Sequence, residues 1–360
     1  MNLNSDELQP LEEWLKIKAL ETTCFPSGKN DYFDRYWQIK SYLAQHVYPY
    51  IAAGTSAEDG GVYTDHSLDH FNSVIRYAGE LLGLEKESVS AESKINLKPY
   101  EVFITLVSIL LHDAGNINGR RGHETQALKI FTGMGDALCP DQFEAAPIAK
   151  IARAHGGKVR VGEKESKDTI ESLRLKDKDS YHGITFRPKL IAALVRFADE
   201  ICEDRSRAAR FLLNNEKLPT KSEVFHKYAS SISSVDVDLA DRSIKIKFEM
   251  FKEDVIRTFG KDNGSNHDNV FLIDEINERL EKMFCELHYC KKYMYELSHI
   301  HRIKVNIEIY DEDFEPLDEC KAFVLEDLGY PNSSYSFEES HPDWCGSKIC
   351  EKLSNNGEAA

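Results

Sequence analysis

The sequence predicts a mainly α protein in which a helical domain is followed by a small α+β module of strand-strand-helix-strand order. Two observations carry that expectation. Apolar residues Leu68, Phe71, Val74, Ile75, Ala78 and Leu82 recur at spacings of three and four, and an unbroken apolar run leads from Tyr100 to Leu110; both are helical patterns. After residue 219 the period falls to two, in Val235, Val237 and Leu239 and again in Ile244, Ile246 and Phe248, as half-buried strands require. A length of 360 residues allows a large core and points to two domains.

In chain order, residues 1–58 read as two helices that pack on the helical domain, one around 8–20 and one around 32–51, the second rich in aromatic residues. Residues 52–61 hold three glycines with Thr, Ser and Asp, a loop composition. Residues 59–218 form the helical domain. Within it, residues 161–187 carry many charges and few apolar side chains; they read as a mobile, solvated insertion that could act as a lid. Residues 219–315 form the α+β module: a hairpin turning at Asp241-Arg242, a long amphipathic helix over about 271–297, and a strand with Ile303, Val305, Ile307 and Ile309. The module is expected to offer a surface to the helical domain, a second copy or another protein. Residues 316–360 are a C-terminal extension with a disordered end.

Chemistry-bearing residues sit at helix ends. His112 and Asp113 close the apolar run in Leu-His-Asp-Ala-Gly. A buried carboxylate costs several kcal/mol unless something pairs with it, and a divalent metal is a natural partner. His70 opens the helical pattern of 68–82. His123 follows Gly-Arg-Arg-Gly and opens another apolar helix. His155 ends Pro-Ile-Ala-Lys-Ile-Ala-Arg-Ala before Gly156-Gly157, a helix stop, and Asp199 lies in an otherwise apolar helix that begins at Pro188. His66 stands four residues before His70 on the same helix face.

This ordered set resembles the HD-domain superfamily of metal-dependent phosphohydrolases, whose signature is a His, then His-Asp, then a distant Asp, with further His residues in two-metal members. The likeness covers roughly residues 60–212. It implies a helical domain with ligands His70, His112, Asp113, His123, His155 and Asp199. Asp113 would bridge two metals; His70, His112 and Asp199 would complete one site, His123 and His155 the other. Imidazole and carboxylate together suit Mn, Fe, Co, Ni or Zn, one or two ions, better than Mg or Ca. The general acid has three candidates, His66, Glu124 and Lys158. In the cyclic-di-nucleotide branch a Lys follows the pair and a His-His-Glu run occurs. Here Asn116 and His155-Gly156-Gly157 stand instead, so cyclic-di-GMP is not the implied substrate. The order of an HD domain and then a small α+β module is also similar to HD proteins of bacterial conflict and signalling systems.

Charge narrows the substrate. With 45 Lys and Arg against 61 Asp and Glu, the net charge is -16, which disfavours long duplex nucleic acid. Basic residues nevertheless gather beside the expected ligands: Arg120 and Arg121 before His123, Lys158 after His155, Arg207 after Asp199. Arg196, Asp199, Glu203, Arg207 and Arg210 fall near one face of a continuous helix, where they could bind phosphate or simply pair with one another. A compact phosphate-bearing anion such as a nucleotide is the expected substrate. The first reading is therefore a phosphohydrolase or phosphodiesterase, with Asp113 and His66 as catalytic candidates. A regulatory protein with a structural or sensing metal, and a nuclease acting on single strands, are the alternatives.

The opening residues lack an apolar core and no apolar stretch reaches the roughly 18 residues that span a bilayer. A cytoplasmic setting with no membrane contact is expected, and with it eight reduced cysteines. Cys345 and Cys350, with His341 and Cys320 nearby, could form a zinc knuckle, although their spacing matches no strong template.

Overall fold

The computed structural model describes residues 7–51, 67–85, 89–215, 217–262, 267–297, 299–317, 319–327 and 336–355. The chain divides into two compact units. Of the described residues, one unit holds those up to Cys202 together with Tyr289–His299, and the other holds Glu203–His288 and those from Ile300.

The first unit is built around the helix Pro99–Leu111. Pro99 presets its first φ, and the Glu101 carboxylate accepts from the Lys98 backbone N–H at 2.9 Å, so the start is fixed by local chemistry. Every residue from Tyr100 to Leu111 is buried. A helix apolar all round belongs inside a larger core, and this one packs against Leu68–Leu81, Gln142–Arg153 and Pro188–Glu200. The helices Pro10–Lys18 and Tyr32–His46 also pack on it. Glu12, with no exposed surface, accepts from Lys40 Nζ at 2.6 Å and from the Tyr36 hydroxyl.

Residues 161–187 are not the unstructured insertion their composition suggests. Two short antiparallel hairpins run from just before this segment to its end, β1 (Val159–Val161) with β2 (Lys164–Ser166) and β3 (Asp179–Tyr181) with β4 (Ile184–Phe186). The segment is tied to the scaffold. Thr169 Oγ1 donates to the Ala154 carbonyl at 2.6 Å and accepts from Arg196 Nη1 at 2.7 Å, while the Tyr181 hydroxyl donates to Asp141 at 2.9 Å. Strands of three residues are too short to display a period, so charge dominates their appearance.

The helix that carries Asp199 is shorter than the charge spacing beyond it suggests. It ends at Glu200, and a 3-10 turn (Arg205–Arg207) and a separate helix (Arg210–Asn214) come next. Arg196, Asp199, Glu203, Arg207 and Arg210 therefore share no helix face.

The second unit is the expected α+β module with one more strand in its sheet. β5 (Ile232–Asp238) and β6 (Ser243–Phe251) form the hairpin. The helix Leu272–Met294 leads on to β9 (Arg302–Tyr310), which pairs parallel to β6. The added strand β10 (Lys321–Glu326) lies antiparallel on β9, giving the order β10-β9-β6-β5. Ile244, Ile246, Phe248 and Met250 of β6 and Ile303, Val305, Ile307 and Ile309 of β9 are buried. A further hairpin, β7 (Thr258–Asp262) with β8 (His267–Phe271), precedes the long helix. Among the described residues no helix is long and apolar enough to cross a membrane.

Candidate metal centre

Four helices and one 3-10 turn of the first unit deliver the candidate ligands. His70 stands in the first turn of Leu68–Leu81, which Ser67 caps by accepting from the Asp69 N–H. His112 and Asp113 come directly after the last residue of Pro99–Leu111, where the helix gives way to the 3-10 turn Ala114–Asn118. His155 stands two residues after Gln142–Arg153, and Asp199 is in the last turn of Pro188–Glu200. His123 does not open a helix, as its sequence context suggests; it belongs to a separate 3-10 turn, His123–Thr125, just ahead of the helix Ala127–Gly133. Gly115 makes that approach possible: a Cβ there would lie 2.0 Å from the His123 carbonyl oxygen.

Ligand atoms fall into two groups that share one carboxylate. His70, His112 and Asp113 form the first, Asp113, His123 and His155 the second, and within each the ligating atoms lie within 4.8 Å of one another. Asp113 Oδ1 is 2.8 Å from His123 Nε2 and 3.6 Å from His155 Nε2; Asp113 Oδ2 is 3.6 Å from His112 Nε2. Asp199 Oδ1 joins the first group, 3.5 Å from His70 Nε2 and 3.4 Å from His112 Nε2. His70, His112, Asp113 and His123 are all buried.

The histidines are oriented by their other nitrogen. His112 Nδ1 faces the Ile109 carbonyl at 2.7 Å, His123 Nδ1 the Arg120 carbonyl at 2.8 Å and His155 Nδ1 the Ala152 carbonyl at 2.7 Å. A carbonyl only accepts, so each Nδ1 carries a proton and Nε2 is the nitrogen that each ring turns toward the carboxylates. Backbone partners of this kind hold metal-ligating imidazoles in register. His70 differs, with Cys202 Sγ 3.7 Å from its Nδ1.

The donor set therefore fits a divalent metal. Imidazole Nε2 atoms and carboxylate oxygens converge, an arrangement that a bound proton or metal cation stabilises. His112 Nε2 is buried and makes no well-formed hydrogen bond. The electrostatics agree. Burial opposes charge on His112, yet Asp199 and Asp113 outweigh it and push its pKa up to about 9. Burial likewise opposes ionisation of Asp113 and Asp199, but His112 holds both well below the usual carboxylate range, helped by Arg120 at Asp113 and by His70 at Asp199. At His155, burial pushes the pKa down. The pocket draws a proton onto His112 for the reason it would draw a cation. Mixed nitrogen and oxygen donors suit a transition ion, and the arrangement does not select among Mn, Fe, Co, Ni and Zn.

The remaining expected residues divide. Arg120 Nη1 lies 3.4 Å from Asp113 Oδ1 and 3.3 Å from Asn116 Oδ1, with its side chain 40% exposed. Arg121 is exposed on the same turn. Lys158 pairs with Glu165 at 2.7 Å on the exposed β1–β2 hairpin. Arg207 counts with the second unit, its Nη1 3.5 Å from Glu203. His66 lies outside the described residues. Glu124 Oε2 is 3.4 Å from His123 Nδ1. Cys345 and Cys350 enter neither ligand group: Cys345 Sγ lies 3.4 Å from Ser347 Oγ, and Cys350 donates to the Ile256 carbonyl at 3.2 Å. Sequence reasoning missed Gly115, the three orienting carbonyls and Cys202. The carbonyls had a signal, since each lies three residues before its histidine at a helix or turn end.

A family model described as HD-CE matches residues 61–282, more than half of the chain. No curated protein and no solved structure matches it.

Proposed function

The chain belongs to the HD-CE family, and from that premise we propose that it is a metal-dependent phosphohydrolase or phosphodiesterase acting on a compact, nucleotide-like phosphate ester. One observation carries the reading: Asp113 belongs to both ligand groups, the arrangement expected of a carboxylate bridging two ions. His70, His112 and Asp199 would hold one ion, His123 and His155 the other. Bound there, divalent metals would supply an activated water and polarise the phosphoryl oxygens.

The chain's own residues prepare that chemistry. The backbone-bonded imidazoles keep their Nε2 atoms directed inward. Burial of His70, His112, Asp113 and His123 limits competition from bulk water. Arg120 places a partly exposed guanidinium against Asp113, suited to an incoming phosphate oxygen. A positive group at the site of a chain whose net charge is -16 favours a small anion over a long polyanion.

The test is product release from nucleoside triphosphates, cyclic mono- and di-nucleotides and short single-stranded DNA and RNA, with Mn, Co or Ni added. Turnover that requires metal and disappears in Asp113→Ala is expected. Turnover unchanged in Asp113→Ala rejects the assignment. Metal binding without turnover on any substrate transfers the site to a structural or sensing role.

A further inference from the structure

Two side chains converge on the backbone just ahead of His155. The Ala154 carbonyl accepts from Thr169 Oγ1 at 2.6 Å and from Arg196 Nη1 at 3.4 Å. Arg196 Nη1 also donates to Thr169 Oγ1 at 2.7 Å, so the two groups hold each other on the same oxygen. Ala154 and Thr169 have no exposed surface, and Arg196 is buried. The last carbonyls of a helix have no partner within it. At the end of Gln142–Arg153 one is satisfied from the short helix Thr169–Ser172 and from Pro188–Glu200.

Tyr289 holds both groups in turn. Its hydroxyl donates to Asp168 Oδ1 at 2.7 Å and accepts from the Ile170 N–H at 3.1 Å, gripping the chain on either side of Thr169. Its ring lies against the Arg196 guanidinium, 4.5 Å from centroid to Cζ, a cation–π contact that strengthens where water is excluded. All of these residues belong to the first unit. What they connect gives them a purpose. Arg196 stands three residues before Asp199 on one helix, and it grips the residue before His155 at the end of another. The contact of His155 Nδ1 with the Ala152 carbonyl orients the ring but does not fix where that helix end stands.

We propose that Tyr289, Arg196 and Thr169 are positioning residues for the second metal ion. They fix the end of Gln142–Arg153, and with it the distance from His155 Nε2 to Asp113. They act through the Ala154 backbone, not as ligands. The proposal rests on the reading that Asp113, His123 and His155 hold an ion. It gives the segment 161–187 the work of a brace in place of the lid its composition suggests.

Three variants separate the contacts. Thr169→Val removes the hydroxyl with little change of shape, Thr169→Ser keeps it, and Tyr289→Phe keeps the ring on Arg196 while losing both hydroxyl bonds. Full-length, metal-free protein would be titrated with Mn by calorimetry, with His123→Ala identifying the binding event of its own group. Thr169→Val and Tyr289→Phe should weaken that event about tenfold or more, as loss of a partner behind a ligand does, and leave the other within about twofold. Thr169→Ser should restore it. Both events weakened alike, the mark of a general structural role, or neither weakened, overturns the proposal. Histidine-ring ¹H–¹⁵N spectra with chelator present supply a readout that needs no metal. The wild-type His155 ring, identified by His155→Gln, should be the Nδ1–H tautomer, and Thr169→Val should give a mixture. Wild-type protein that binds no ion rejects the metal assignment, and the ring spectra then decide alone: a His155 tautomer unaltered by Thr169→Val overturns the brace as well.

Discussion

Gly115 decides where His123 can stand. Its missing Cβ leaves room for the His123 carbonyl, which a methyl group would meet at 2.0 Å, a distance no side chain tolerates without movement of the backbone. The turn His123–Thr125 would have to retreat, and His123 Nε2 would retreat with it from Asp113. Gly115→Ala should therefore cost roughly 1–3 kcal/mol of stability, as overpacking does. It should lower metal occupancy of the Asp113-His123-His155 group more than that of the His70-His112-Asp113 group. Metal content by elemental analysis and affinity by calorimetric titration would show one ion lost before the other. Equal loss of both would mean the two groups do not bind separately. At this scale the candidate histidines and aspartates were legible in the sequence as polar residues in or beside apolar helical runs, although His123 stands on a turn ahead of its helix. The cations expected beside a substrate were less so. A Lys or Arg beside a ligand in sequence tells nothing of where a long side chain points, and Lys158 and Arg207 both have carboxylate partners, Glu165 and Glu203.

Elements with strong local signals formed as their residues dictate. Proline at the first position of Pro99–Leu111 and of Pro188–Glu200, and long apolar stripes behind each, leave little choice. The strand period in β5, β6 and β9 was equally plain. The hairpins of 159–186 and strand β10 were not, since three-residue strands and the exposed alternate positions of an edge strand carry no readable pattern. The N-terminal helices are legible from their apolar faces, but the contact that locks them together is polar. Glu12 is buried and joins Lys40, itself 4% exposed, across two helices. Its Oε2 also accepts the Gln9 backbone N–H at 2.7 Å. Glu12→Ala would strand a buried ammonium and free a helix start, so a loss of about 3–5 kcal/mol is expected. Glu12→Ala combined with Lys40→Met should recover much of that loss, because removing both charges is cheaper than leaving one. Denaturant unfolding of the three proteins checks this; a double variant no more stable than Glu12→Ala would show that the pair acts through packing instead.

At the level of the whole molecule, the six candidate ligands all belong to one of the two units, although the matched family region continues well into the other. That separation has a thermodynamic consequence. A ligand that binds only the folded form stabilises it by RT ln(1 + [L]/Kd), roughly 2.7 kcal/mol at a hundredfold excess over Kd. For a unit of about 150–250 residues this corresponds to a rise of about 5–10 °C in Tm. The effect should be confined to the unit that holds the metal centre if the two melt independently, and shared by both if they melt as one. Scanning calorimetry with Mn, and then with chelator, distinguishes the cases. Two transitions with only one displaced by metal would make the α+β unit an autonomous partner of the HD unit. A single displaced transition would make it an integral part of the fold on which the metal centre depends. Asp113→Ala should abolish the displacement in either case. A displacement that survives Asp113→Ala would place the stabilising ion somewhere other than between these histidines.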